Sequence, residues 1–228
     1  MGDFWLYLAF LIPPLILGFV IQARLKSTVN QQLQVAVASG MSGRQVARMI
    51  LERNGLQDVP VEPSPGGPLS DHYDPRKRSV NLSGPVYEGQ SVASAAIAAH
   101  EVGHALQHSA GYAFFKARSA MWPVVAFASN AWFFLLLIGA FMGALGLIQL
   151  AIILFAVVVL FQIVTLPVEF DASRRALAQL NGLGLVSTGE QAGARKVLTA
   201  AAMTYVAAAL AALSQLAYYA LIFLGNRN

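Results

Sequence analysis

Residues 119–168 read SAMWPVVAFASNAWFFLLLIGAFMGALGLIQLAIILFAVVVLFQIVTLPV, 50 residues without one Asp, Glu, Lys or Arg. A helix crosses the hydrocarbon core of a bilayer with about 20 apolar residues. The stretch is too long for one crossing and fits two, with Gly139, Gly143 and Gly146 marking the turn between them. Two further blocks lack these four residue types: residues 4–23, interrupted by Pro13-Pro14 in a way that predicts a kink, and the alanine-rich residues 197–226. Each holds one span, and small residues suit close helix packing in lipid. The first block has no basic start and no clear small-residue cleavage site, so it reads as a retained anchor.

Composition agrees. Hydrophobic residues make up 57% of the 228, and charged residues 11%, against roughly 25% in soluble domains. Too few polar side chains remain to cover a water-facing surface. The net charge of +4 does not form a basic face interleaved with aromatics, so nucleic acid is not an expected partner. Fourteen of the fifteen Lys and Arg residues fall between the first and second blocks or between the middle and last ones; Arg227 is the exception. The positive-inside rule makes that side cytoplasmic, with both chain ends outside. The expected fold class is a mainly α membrane protein. Its predicted parts are an N-terminal anchor at 1–23, a cytoplasmic α+β domain at 24–118, a two-span hairpin at 119–168, a cytoplasmic helix at 169–196 and a C-terminal transmembrane helix at 197–228.

Within 24–118, Ser42 reads as the N-cap of a helix through Val46, Met49, Ile50 and Leu51, stopped at Gly55. Residues 59–68, rich in Pro and Gly, read as loop. Residues 70–73 and 79–82 read as short strands joined by Asp74-Pro75-Arg76-Lys77-Arg78. Ser91 and the alanines after it open a helix that continues to about Ser109.

That helix carries His100-Glu101-Val102-Gly103-His104. Residues four apart share a helix face, so the two imidazoles can point at one ion. Glu101 lies about 100° round the helix, beside the ligands, where it can serve as general base on a metal-activated water. The chain has no cysteine, so a transition metal must be held by nitrogen and oxygen; one Zn2+ per chain is expected. His108 continues the spacing but sits about 12 Å from His100 along a straight helix, whereas ligands of one zinc are about 3–4 Å apart. It is expected to support the site rather than bind the ion. Glu169 is the first carboxylate after the uncharged block, and two spans return the chain to the side it left. Glu169 is therefore the expected third ligand, with Asp171 as the fallback. His72, Tyr73, Arg174 and Arg175 are candidate stabilisers of an oxyanion; the two arginines also suit lipid headgroups. Val80-Asn81-Leu82-Ser83 is a weaker candidate for an exposed edge strand that aligns a peptide by main-chain pairing.

At His100-Glu101-Val102-Gly103-His104-Ala105-Leu106-Gln107-His108 and Pro167-Val168-Glu169-Phe170-Asp171-Ala172-Ser173-Arg174-Arg175, the chain resembles membrane gluzincin peptidases. It looks most like the YugP-type neutral zinc metallopeptidases. Tyr73-Asp74-Pro75 through Val80-Asn81-Leu82-Ser83 and the flanking spans extend the likeness over most of the chain. The resemblance implies a zinc-dependent, membrane-integral peptidase, so that a zincin-like domain in a bacterial inner membrane is expected; the distribution of Lys and Arg turns its site toward the cytoplasm. Its partners would be the lipid bilayer and a protein or peptide substrate. The more distantly similar HtpX-like peptidases carry Glu-x-x-Ala-Asp on the third-ligand helix, the Asp orienting a ligating histidine. Here Glu169 and Ala172 match, while Ser173 stands in place of that Asp, so Ser173 or Asp171 would take its role. Two other readings stay open from the residues: an intramembrane-cleaving protease with a fifth span near residues 91–115, and a membrane scaffold with a structural zinc.

Overall fold

The structure is a computed structural model that describes residues 2–225. It contains seven helices and a three-stranded sheet among these residues: α1 (Gly2–Leu33), α2 (Gly43–Arg53), β1 (Val61–Pro63), β2 (His72–Asp74), β3 (Ser79–Leu82), α3 (Gly84–Tyr87), α4 (Val92–Ser109), α5 (Ala113–Met142), α6 (Leu145–Gly182) and α7 (Thr188–Gly225). Four of them, α1, α5, α6 and α7, are long and apolar enough to cross a membrane. Arg227, the cation outside the two basic segments, lies outside the described residues.

The chain divides into two compact units. The first comprises residues 2–21, 117–166 and 204–225 and is built from the apolar parts of the four long helices. Its outward side chains are those that water would reject: Phe141 is 95% exposed, and Trp5, Phe19, Phe127 and Phe134 are exposed too. A soluble protein rarely exposes so much contiguous apolar surface; a lipid environment accounts for it. Inside this unit Trp132 packs on Phe155 at 4.5 Å and Tyr219 lies 6.0 Å from Phe155. Gly143, at φ +63, makes the left-handed turn between α5 and α6 that a side chain would resist. α1 continues as helix through Pro13 and Pro14.

The second unit comprises residues 22–116 and 167–203. Its core is formed by Val46, Ile50 and Leu51 of α2, Val80 and Leu82 of β3, the alanines of α4, and Ala176 and Leu180 of α6. α2 starts at a capping box: Ser42 accepts from the Gln45 N–H, and the Gln45 side chain accepts from the Ser42 N–H. This reciprocal pairing satisfies two of the amides that a helix start leaves free. Gly55, at φ +74, follows its end. Ser91 caps α4, its Oγ accepting from the Ser94 N–H at 3.0 Å.

The sheet order is β1-β3-β2, with β1 parallel and β2 antiparallel to β3. Two expectations change here. Residues 59–68 are not all loop, because Val61, Glu62 and Pro63 pair with Val80, Asn81 and Leu82. As a result β3 is the middle strand, paired on both sides, and Val80-Asn81-Leu82-Ser83 offers no free edge to a peptide. The apolar blocks also understate the helices. α6 runs on without a break through residues 169–182, so the predicted helix at 169–196 is in fact the end of α6, a short connection and the start of α7.

Candidate metal centre

α4 passes through the core with almost no exposed face. Residues Val92, Ala93, Ser94, Ala95, Ala96, Ala98 and Ala99 are buried, and so are His100, Glu101, Val102, Gly103 and His104. Ionisable groups are rarely buried without partners. The carboxylate that faces the two histidines comes from α6, where the helix runs past the uncharged block.

His100, His104 and Glu169 each offer one donor atom, and these atoms all lie within 4.8 Å of one another. His100 Nε2 is 3.1 Å from Glu169 Oε2, and His104 Nε2 is 3.5 Å from the same oxygen. Four donors placed tetrahedrally at zinc bond lengths stand about 3.3 Å apart, and both histidine–carboxylate separations are close to that spacing. The rings cross at 84° with centroids 4.8 Å apart, which aims two nitrogens at one point without stacking. Glu169 is 1% exposed. With two nitrogens, one carboxylate and no thiolate among the described residues, the donor set suits zinc. The other ring nitrogens are occupied as well: His100 Nδ1 is 3.2 Å from Ser173 Oγ, and His104 Nδ1 is 3.0 Å from Gln107 Oε1.

Glu101 lies apart from this shell but next to it. Burial pushes its carboxyl up to about 7; the His100 imidazole opposes the rise, and the Glu169 and Asp71 carboxylates add to it. The Tyr73 main-chain N–H donates to the Glu101 carboxylate and favours its charged form. β2 therefore runs alongside the general-base candidate. A carboxyl poised near neutrality can take up and release a proton at working pH.

The remaining candidates separate. His108 is outside the cluster: its Nδ1 meets Tyr73 Oη at 2.9 Å, and its ring stacks on Phe115 at 5.4 Å. Burial lowers its pKa, with Arg78 and Lys116 adding to the effect. His72 is exposed on β2 and bonded to the Ser70 carbonyl at 2.9 Å, away from the three donors. Asp171 touches neither histidine; it accepts from Arg174, from Arg175 Nε at 2.6 Å and from Gln107 Nε2 at 3.0 Å. Arg174 and Arg175 are thus held on a carboxylate, and among the oxyanion candidates Tyr73 is the one whose main chain reaches Glu101. Gln107 was not singled out from the sequence. Its spacing three residues after His104, on one helix face, was the available signal.

A buried pair of histidines with a glutamate from a second helix could hold a metal ion, and residues 7–224 match the family described as "Putative neutral zinc metallopeptidase". The chain belongs to that family. Among curated proteins it is similar to the "Putative membrane protease YugP" of Bacillus subtilis (strain 168), at 48% identity over 223 residues, covering 98% of this chain and 99% of the relative. No solved structure matches it. A family of zinc peptidases suggests zinc at the three converging side chains.

Proposed function

We propose that this chain is a membrane-integral endopeptidase of the gluzincin type, hydrolysing peptide bonds at the cytoplasmic face of a bacterial inner membrane. One zinc per chain would be held by His100, His104 and Glu169 in a zincin-like domain. The observation that carries the reading is the convergence of His100 Nε2 and His104 Nε2 on Glu169 Oε2, with the buried Glu101 carboxyl alongside. Zinc bound there supplies Lewis acidity toward a peptide carbonyl and toward water.

The rest is done by the protein's own residues. Glu101 takes a proton from the attacking water as the carbonyl carbon gains its new C–O bond. It then hands that proton to the departing amine as the C–N bond breaks. The β2 strand borders Glu101 through the Tyr73 N–H, so an extended substrate would lie near this strand. The cytoplasmic placement rests on the distribution of Lys and Arg.

A structural-zinc scaffold would call for a fourth protein donor, and among the described residues the cluster holds three. The intramembrane reading calls for a fifth span, and α4 is not among the four membrane-length apolar helices.

The experiment is a comparison of membrane and cytosolic protein fragments in cells carrying the wild-type chain or Glu101→Gln. Fragments should vanish with the variant while purified Glu101→Gln keeps its zinc. A Glu101→Gln protein that still cleaves an unstructured test protein at the wild-type rate overturns the mechanism.

A further inference from the structure

Gln107 occupies one of the most enclosed positions in the protein, with no exposed surface, yet both ends of its amide are used. Its Oε1 lies 3.0 Å from His104 Nδ1. Its Nε2 donates to the Val168 carbonyl at 2.7 Å and to Asp171 Oδ2 at 3.0 Å. Both of those partners are acceptors on α6, so the amide has one acceptable orientation. Turning it over would set its oxygen against two oxygens and strand its NH2 at the imidazole. With Oε1 fixed as an acceptor, His104 must carry its proton on Nδ1. Its Nε2 is left with a lone pair, directed at the point it shares with His100 and Glu169.

Asp171 cannot turn away either, because Arg174 and Arg175 both donate to it. His100 is held differently. Its Nδ1 partner is the Ser173 hydroxyl at 3.2 Å, a rotor that can donate or accept and so enforces no tautomer.

We propose that Gln107, anchored by Asp171, is the positioning residue that fixes His104 as an Nε2 metal ligand. This assignment rests on the metal-centre reading given under Proposed function. It gives Asp171 a role one residue removed from the histidine, with a neutral amide carrying the contact. It also makes the two histidines unequal: His104 is locked, and His100 is adjustable.

The test uses the full-length protein in detergent, with zinc affinity measured by competition against a chromophoric chelator and folding followed by thermal melting. Gln107→Met keeps the length and apolar volume without the amide. It should weaken zinc binding by about 10- to 100-fold. Wild-type affinity in Gln107→Met overturns the proposal. Nitrogen NMR of the zinc-loaded wild type is independent of any variant's folding: His104 should be protonated at Nδ1 and metal-bound at Nε2, and the reverse pattern overturns the assignment. His100→Ala separates the two levels. Undiminished zinc affinity there overturns the metal centre itself, whereas its loss alongside a wild-type Gln107→Met overturns the role of Gln107 alone.

Discussion

Gly103 lies against the Ala172 backbone so closely that a Cβ built on it would stand 2.6 Å from the Ala172 carbonyl oxygen. The glycine within His100-Glu101-Val102-Gly103-His104 is therefore what lets α4 and α6 approach, and this approach brings Glu169 under the two histidines. Gly103→Ala gains about 1 kcal/mol in helix propensity, but the contact is with backbone and no rotamer relieves it. Forcing a methyl into such a site costs about 1–3 kcal/mol, so the net effect is a loss. The variant should melt earlier and bind zinc more weakly than the wild type. An unchanged melting temperature with full zinc affinity would show that this contact does not set the spacing.

The Glu101 carboxyl must be ionised to accept a proton, and burial pushes its pKa up to about 7. Activity should therefore fall as pH drops and the carboxyl fills with protons. The positive charge of a bound zinc favours the ionised form and sets the limb below about 7. Asp71 is one of the like charges that raise the Glu101 pKa, so Asp71→Asn should move the acid limb to still lower pH. The measurement is kcat/KM against pH for both proteins. An acid limb that stays in place or moves to higher pH in Asp71→Asn would contradict a carboxylate base at Glu101.

Asp71 also fixes the start of β2. Its Oδ1 accepts from the Ser83 N–H at 2.7 Å, and the Ser83 hydroxyl donates to its Oδ2 at 3.0 Å. Ser83 is 1% exposed, so Asp71→Ala leaves a buried N–H without its acceptor, at a cost of about 1–3 kcal/mol. Thermal or denaturant unfolding should register this loss. Ser83→Ala, which keeps the N–H bond, should cost less; equal losses would point to the hydroxyl instead.

Because the chain has no cysteine, single-cysteine variants report topology cleanly. Asn30→Cys, Leu145→Cys and Ser187→Cys sample the first basic segment, the turn between α5 and α6, and the second basic segment. An impermeant maleimide added to intact cells should label Leu145→Cys alone. Labelling at residue 30 or 187 from outside would reverse the orientation drawn from the Lys and Arg distribution.

The four long helices were legible because lipid demands a long, charge-free stretch, which the core of a soluble domain rarely needs. Their ends were not. The helical repeat of α6 continues into Glu169-Phe170-Asp171 and beyond, where backbone hydrogen bonding goes on regardless of charge. The strand β1 escaped for the opposite reason: Val61-Glu62-Pro63 is three residues long, too short for alternation to show, and its pairing is set by β3. At the site, the helix face bearing His100 and His104 followed from spacing, and Glu169 was named by counting spans. Gln107 carries no charge, so nothing in its side chain alone distinguishes it from an ordinary polar helix residue, whereas Asp171 and Ser173 stand beside Glu169 in sequence. The i, i+3 spacing puts Gln107 on the His104 face of the helix, but its acceptors on α6 become visible only in space.

The most direct test is the zinc content of the purified full-length protein beside that of Glu169→Ala. About one zinc per wild-type chain and a near-complete loss in Glu169→Ala is the predicted result, since a two-histidine remnant lacks the carboxylate that completes the protein ligands. Equal zinc in the two proteins would contradict the metal centre described here.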